Sequence, residues 1–218
     1  MVFFSVPAVA NWLSFDFTGH RNHCKMNDDL TGGFMVERKD IMQTRKAIWQ
    51  AYLALSAENP KEDISASALI KRSGLLRATF YGYYSDIASV QREIEDNFTA
   101  VSMEILLPQI RELFHHTEDS IYQIFRFFEK NSAMIRAITT DGRNSSYYDR
   151  CRQQIGKNIL RCAFTCTIDE RAVLQGMSLA GMIMDQAKDI VNNSMHYTIS
   201  MRAAVFTEVM MNSISSGD

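Results

Sequence analysis

Apolar residues recur at helical spacing from residue 38 almost to the end of the chain. In the first such segment Ile41, Ile48, Tyr52 and Leu55 follow at intervals of seven, four and three residues, which places them on one face of a helix. This helix ends at the sequence AENP, because the residue before a proline avoids helical geometry. Alternating runs typical of strands are hard to find, so the pattern predicts an all-α fold.

Two short amphipathic segments follow the first helix. Ser65 is a suitable N-cap for a helix with the sequence ASALIKR, and Gly74 can adopt the left-handed conformation that a tight turn requires. We expect a third helix from about Leu76 to Tyr84, with Phe80 packed against the first helix. Two short helices joined by such a turn form a helix-turn-helix, whose second helix enters the major groove of DNA.

The rest of the chain predicts further helices around a larger core. Asp86 can cap a fourth helix, which Pro108 kinks or restarts. We therefore divide the chain into a poorly defined extension over residues 1–37, a helix-turn-helix domain over 38–85 and a larger helical domain over 86–218. The later helices are expected at Glu118 to Glu129, Ser132 to Thr139, Tyr147 to about Cys162, Asp169 to Asn192 and His196 to Ser213.

Charge makes the helix-turn-helix segment distinctive. The whole chain of 218 residues has a formal net charge of −2, so any contact with nucleic acid must come from a local patch. The segment from Ile64 to Tyr84 contains three basic and no acidic residues, as a surface facing phosphates requires. Arg77 is placed to read a guanine edge, and Thr79 and Tyr81 suit phosphate oxygens. The predicted DNA-binding set is Ser65, Lys71, Arg72, Arg77, Thr79, Tyr81 and Tyr83.

Cysteine usage and motif content argue against a metal site and against catalysis. Four thiols, Cys24, Cys151, Cys162 and Cys166, spread over a helical chain of this size are not needed as disulfide staples, which favours a reduced, cytoplasmic setting. Cys162 and Cys166 share a helix face without a further ligand nearby in sequence, so core packing is the simpler interpretation. No phosphate loop, nucleophile elbow or His-Glu-x-x-His motif occurs, so we expect neither an enzyme nor a cofactor.

The first 37 residues follow a different pattern. The apolar sequence MVFFSVPAVANWLSF lacks a basic N-terminal region and is too short to cross a bilayer, so it is at most a poorly formed signal peptide and we expect no membrane insertion. His20, His23 and Cys24 resemble a metal cluster only superficially. Met26 or Met35 could equally serve as the first residue of the native protein.

The helix-turn-helix segment resembles the DNA-binding signature of the tetracycline-repressor (TetR/AcrR) family. The residues that carry the resemblance lie in ISASALIKRSGLLRATFYGYYSDIASV, in which Thr79 to Tyr84 stand where the family's recognition helix ends and Gly74 stands at its turn. The resemblance covers about 50 residues, from Ile41 to Val90. Three positions depart from the family pattern: Leu76 replaces a small capping residue, Ile87 replaces a lysine that contacts phosphate, and Gly82 stands where a polar or basic residue is common.

The resemblance implies a homodimeric repressor that reads a pseudo-palindromic operator and releases it on binding a small apolar or amphipathic effector. It implies an effector pocket in the larger domain and a dimer interface formed by the last two helices. An ordinary core and an intrachain packing surface are the respective alternatives. Our predicted pocket residues are Met103, Phe125, Phe128, Met134, Tyr147 and Cys151, and our predicted interface residues are Leu174, Met177, Gly181, Met184, Phe206 and Met210.

A second function remains open at this point. Leu76 and Ile87 weaken the match at the two positions where the family caps its recognition helix and contacts phosphate. A dimer of the same architecture could therefore act mainly through a protein partner, with weak or no sequence-specific DNA binding.

Overall fold

The computed structural model describes residues 31–58, 63–139, 146–163, 169–193 and 196–215. Within these ranges every regular element is an α-helix, in agreement with the predicted all-α class. None of these helices is long and apolar enough to cross a membrane. The helices are α1 (Thr31–Glu58), α2 (Ala66–Ser73), α3 (Arg77–Tyr83), α4 (Ile87–Glu112), α5 (Thr117–Lys130), α6 (Ser132–Thr139), α7 (Tyr147–Ala163), α8 (Glu170–Asn192) and α9 (Ile199–Ser215).

The chain divides into two compact units, and the division falls between Ile94 and Glu95, within α4. We predicted a boundary at residues 85 and 86, where α4 begins. The difference arises because the first turns of α4 belong to the core of the first unit, in which Val90 and Ile94 are fully buried. Among the described residues of this unit, the other large buried side chains are Ile48, Trp49, Tyr52, Leu53, Leu69, Phe80 and Tyr84.

Local signals define the turn between α2 and α3. The Ser65 hydroxyl accepts a hydrogen bond from the Ala68 amide at 3.2 Å, so Ser65 is the N-cap that we predicted. Gly74 ends α2 with φ 70° and ψ 13°, in the left-handed region that glycine adopts without steric cost. Leu76 then takes the N-cap position of α3 in an extended conformation, and its side chain caps nothing.

Helices α5 to α9 and the later part of α4 form the second unit. Its helices α7 and α8 approach closely: a Cβ atom added to Gly176 would lie 2.9 Å from two carbons of Leu160, and one added to Gly156 would lie 2.5 Å from the Met177 sulfur. The α8 helix is capped by Asp169, whose side chain accepts from the Ala172 amide at 2.8 Å. Small residues therefore set the distance between α7 and α8.

Some predicted helix limits differ from those observed. The α1 helix starts at Thr31 rather than near residue 38, and α9 starts at Ile199 rather than at His196. Pro108 lies inside a continuous α4 and does not restart it. Ile41, which we placed on the apolar face of α1, is 37% exposed, because the buried part of that helix begins at Ile48.

Candidate nucleic-acid interface

The α3 helix is held in place by one buried side chain. Phe80 is fully buried, and its backbone amide donates to the Leu76 carbonyl at 3.1 Å. Its ring lies 6.0 Å from that of Tyr84, whose hydroxyl accepts a hydrogen bond from Trp49 Nε1 of α1 at 2.9 Å. Burial is the main cause that raises the pKa of Tyr84, followed by the neighbouring Glu93, so this phenol stays neutral as a fixed hydrogen-bonding group.

The opposite side of α3 faces solvent. Arg77, Ala78 and Tyr81 are exposed, and the guanidinium carbon of Arg77 lies 5.5 Å from the centre of the Tyr81 ring. This cation–π contact favours one orientation of the arginine at the start of the helix. Thr79 and Tyr83, which we also assigned to DNA binding, are half-buried.

The α2 side of this surface is less free of acidic groups than the sequence suggested. Lys71 and Arg72 are exposed, as predicted. Arg72, however, donates to Glu58 at the end of α1, with its Nη2 atom 2.6 Å from a carboxylate oxygen. Both side chains are about half exposed, and an ion pair of this kind contributes little stability and can be exchanged for another anion. A segment without acids in sequence thus has a carboxylate beside it in space.

The acidic residue at the other end of α3 serves a local purpose. Asp86 accepts a hydrogen bond from the Ser89 amide at 2.7 Å and thereby caps the first turn of α4. That backbone contact is the main reason why the pKa of Asp86 is lowered. Ile87, where the resembling family has a phosphate-binding lysine, is half-buried. Position 87 therefore offers no cation to a phosphate, and Arg92, one turn further along α4, is the exposed cation whose charge acts on Asp86.

The predicted effector-pocket residues lie in the core of the second unit. The Tyr147 hydroxyl is 3.2 Å from the Ser102 hydroxyl, and burial is the largest cause raising the pKa of Tyr147. Burial likewise raises the pKa of Cys151 to about 12, so the thiol stays protonated. The six predicted residues Met103, Phe125, Phe128, Met134, Tyr147 and Cys151 are all buried.

Two cavities in the second unit are lined by residues other than the six predicted ones. A groove of about 600 Å³ runs along α8 and α9 and includes Met182, Met201, Val205 and Arg202. A smaller space of about 240 Å³ is lined by charged and polar groups from α5, α6 and α9, among them Arg202. None of the six predicted pocket residues lines either cavity.

The predicted interface residues divide into two groups. Leu174 is 68% exposed, and Met177 and Gly181 are partly exposed. Met184, Phe206 and Met210 are buried within their own chain, and Phe206 packs edge-on against Phe125 of α5 at 5.6 Å. These three side chains have little surface left for a second copy of the chain.

Helical spacing located the apolar face of α9 without showing which part of it remains exposed. Among the α9 side chains that the structure describes, the exposed large apolar ones are Met201, Val205 and Val209, at intervals of four, with Met211 beside them, and sequence reasoning did not select them. Met182 of α8 is also exposed. Val205 and Val209 each stand directly before a buried apolar residue, Phe206 and Met210. Such adjacent apolar pairs are the sequence signal that could have found them.

No group of three or more His, Cys, Asp or Glu side chains that could hold a metal ion occurs in the part of the chain that the structure describes. In that part Cys151 is buried and Cys162 is partly exposed, and both are free thiols. His20, His23, Cys24 and Cys166 lie outside the described residues.

Comparison with known proteins supports the fold through structure alone. No protein-family model and no curated protein matches the chain. A solved TetR transcriptional regulator from Streptococcus agalactiae 2603V is similar to 81% of this chain and 98% of its own, with a TM-score of 0.59 and 20% identity. The dihydroxyacetone kinase operon activator DhaS is similar to 79% of this chain and 96% of its own, with a TM-score of 0.52 and 16% identity. The chain therefore has a TetR-like fold.

Proposed function

We propose that this chain is a transcriptional regulator that binds a DNA operator as a homodimer through α2 and α3. The observation that carries this proposal is the solvent-facing side of the two short helices, where Lys71 of α2 and Arg77 of α3 are exposed while Leu69 and Phe80 are the buried residues of the same helices. A TetR transcriptional regulator and an operon activator share the fold, which supports the same role here.

Arg77 is the residue to which we assign base reading. It is the first residue of α3, where side chains of a recognition helix contact base edges, and the Tyr81 ring limits its motion. A guanidinium presented in this way suits the two acceptors of guanine in the major groove. Lys71 and the displaceable Arg72 are assigned to phosphates, and Ser65, Thr79, Tyr81 and Tyr83 supply hydroxyl groups for the backbone of the operator.

The test uses DNA that the purified protein selects from a random library. Arg77→Ala should weaken binding to the selected site by about 1–3 kcal/mol and relax specificity at one position, whereas Lys71→Ala should weaken binding to all sequences and reduce the salt dependence. Arg126→Ala is the matched control, since it removes one exposed arginine of α5 in the second unit. Retention of no DNA at any salt concentration, or equal effects of the Arg77 and Arg126 variants, would contradict the proposal.

The dimer is proposed to form through the exposed apolar residues of α8 and α9. Met201, Val205 and Val209 are 47 to 55% exposed on one face of α9 and border the groove of about 600 Å³. A contiguous apolar face of this kind on a single chain is typical of an interaction surface. This assignment replaces Met184, Phe206 and Met210 by their exposed neighbours, while Leu174, Met177 and Gly181 remain in the proposed interface.

Sedimentation equilibrium measures the molar mass that this proposal requires. We expect a mass of two chains for the unaltered protein and of one chain for Val205→Glu, because an unpaired carboxylate would have to be buried in the interface. Ile105→Glu replaces an exposed apolar residue of α4 and should leave the mass unchanged. A selected operator should have two half-sites, since two-fold symmetry of the protein is mirrored in the DNA.

The effector is proposed to be a small amphipathic molecule. Thr99 is 5% exposed, and its hydroxyl oxygen has no hydrogen-bond partner within the described part of the chain. The aromatic core of the same unit contains Phe98 and Tyr147, with ring centres 5.4 Å apart. An effector that binds one arrangement of the dimer better than the DNA-binding arrangement would release the operator, so that repression is lifted.

Thermal denaturation in the presence of candidate compounds tests the effector site. Compounds that raise the melting temperature of the protein should raise it less for Thr99→Val. A reporter gene behind the selected operator measures the direction of regulation.

A further inference from the structure

On the proposed DNA-binding surface, Arg77 is assigned to a base and Lys71 to a phosphate. The side chain of Leu76 has no role in these contacts. It is 77% exposed, the largest exposed fraction among the large hydrophobic residues in the described part of the chain. It occupies the N-cap position of α3, where a serine or threonine would stabilise the helix, and it forms no side-chain hydrogen bond there. The position thus combines exposure of a large apolar group with the loss of a cap.

The backbone of Leu76 is nevertheless well fixed. Its carbonyl accepts the first hydrogen bond of α3, from the amide of the fully buried Phe80 at 3.1 Å. Its φ of −71° and ψ of 146° are unstrained extended values, and it lies two residues after the left-handed Gly74. An isobutyl group is therefore presented from a defined place at the start of the helix.

The residues around Leu76 indicate what it meets. Arg77 follows it directly, and Ala78, also exposed, comes next, so that the exposed start of α3 reads apolar, cationic, apolar. In the major groove the guanine edge offers two acceptors to an arginine, and the only apolar group on any base edge is the 5-methyl group of thymine. A leucine beside such an arginine matches a thymine beside the guanine.

We propose that Leu76 reads the 5-methyl group of a thymine next to the guanine contacted by Arg77, so that each operator half-site contains this pair. The inference rests on the proposed DNA-binding function and adds a sequence preference to it. On this view the missing cap at position 76 is exchanged for an apolar contact that only thymine offers.

The experiment replaces thymine by deoxyuridine, which differs only in lacking the methyl group. In the selected operator each thymine of a half-site is replaced singly, and the dissociation constant of the full-length protein is measured by fluorescence anisotropy at one salt concentration. One replacement, adjacent to the guanine whose contact is lost in Arg77→Ala, should weaken binding about three- to five-fold, as expected for one methyl group removed from an apolar contact. Thymines outside the half-sites serve as the internal control.

Two variants at position 76 separate base reading from helix stability. Each of the variants Leu76→Ala and Leu76→Ser should bind the thymine operator and the deoxyuridine operator with the same affinity. Serine also restores the N-cap, so Leu76→Ser should have the higher melting temperature. Leu76→Met keeps an apolar side chain of similar size and should keep the discrimination. Ile105→Ala, which shortens another exposed apolar residue, should leave it unchanged.

The outcomes distinguish this inference from the proposed function. If DNA is selected but no half-site thymine shows the deoxyuridine effect, or the effect persists in Leu76→Ser, the assignment of Leu76 is wrong while DNA binding stands. The same conclusion follows if the selected half-sites contain no thymine beside the guanine. If no DNA is selected, both the proposed function and this inference are overturned.

Discussion

The helices α3 and α8 show two different ways of fixing a helix in this protein. The α3 helix has seven residues, one of which is buried, and no side chain caps its start. The α8 helix has 23 residues, is capped by Asp169 and ends at a left-handed Asn193, and buries eight residues. An isolated helix as short as α3 is unstable in water, so its conformation must depend on its attachment to the rest of its unit.

This difference has a functional meaning under the proposed role. Phe80 and the preceding turn hold α3 in place. The exposed residues of that helix are therefore not needed for packing and can contact DNA. In α8 eight of the 23 positions are buried within the second unit, and Gly176 allows the close approach to α7. Substitutions should therefore have sharply different effects at buried and exposed positions within each helix.

The largest effect is expected when the anchor of α3 is removed. Phe80→Ala should lower the free energy of unfolding of the first unit by about 3–5 kcal/mol, since a fully buried aromatic side chain is lost and a cavity remains. Urea denaturation, followed by tryptophan fluorescence, to which the buried Trp49 contributes, and by circular dichroism, measures the change.

Tyr81→Ala provides the comparison within the same helix. Tyr81 is 44% exposed, so its truncation should change the unfolding free energy by less than about 0.5 kcal/mol. Equal losses for the two variants would mean that α3 is stabilised along its whole length rather than by one anchor.

An intermediate effect is expected for the close contact between α7 and α8. A methyl group at position 176 would lie 2.9 Å from Leu160 Cγ and Cδ2, so Gly176→Ala should cost about 1–3 kcal/mol of stability through overpacking. Thermal and urea denaturation of the variant measure the loss.

Gly181 of the same helix is the matched control. An added Cβ would meet no atom within 4 Å there, so Gly181→Ala should be neutral or gain up to about 1 kcal/mol from helix propensity. A destabilisation as large as that of Gly176→Ala would contradict the packing described for α8. A change in the dimer dissociation constant alone would place Gly181 at the proposed interface.

The sequence was sufficient to predict features determined by a few neighbouring residues. The caps at Ser65 and Asp86, the left-handed Gly74 and the burial of Phe80 depend on local chemistry or on helical period, and the structure contains all of them. The resemblance over residues 41–90 agrees with the TetR-like fold, which the structural comparison supports over 81% of the chain.

Features that depend on which distant residues meet were not accessible in this way. The pairing of Arg72 with Glu58 joins residues 14 positions apart across the end of α1, outside the segment whose charge we counted. Likewise, the sequence shows that Val205 and Phe206 are adjacent apolar residues on α9. Only the packing of Phe206 against Phe125 of α5 makes Phe206 the buried residue of the two. Whether an apolar face meets its own chain or another is a property of the folded structure.

The smallest expected effect concerns Gly82, near the end of α3. A Cβ atom at this position would meet no other atom within 4 Å, and the backbone there is not in the left-handed region, so alanine fits without strain. Gly82→Ala should raise the unfolding free energy of the first unit by up to about 1 kcal/mol, because alanine loses less backbone entropy than glycine in a helix. Gly74→Ala, at φ 70°, should instead lower it by about 1 kcal/mol, since an L-residue is strained in that conformation. Urea denaturation distinguishes the stabilisation expected for Gly82→Ala from the destabilisation expected for Gly74→Ala.

The size of the gain at Gly82 shows what determines the conformation of α3. If Phe80 alone determines it, the gain will be smaller than in an isolated helix, because the anchored segment is already helical. A full gain would mean that the end of α3 unwinds part of the time, and that its helix propensity limits the presentation of Arg77 and Tyr81.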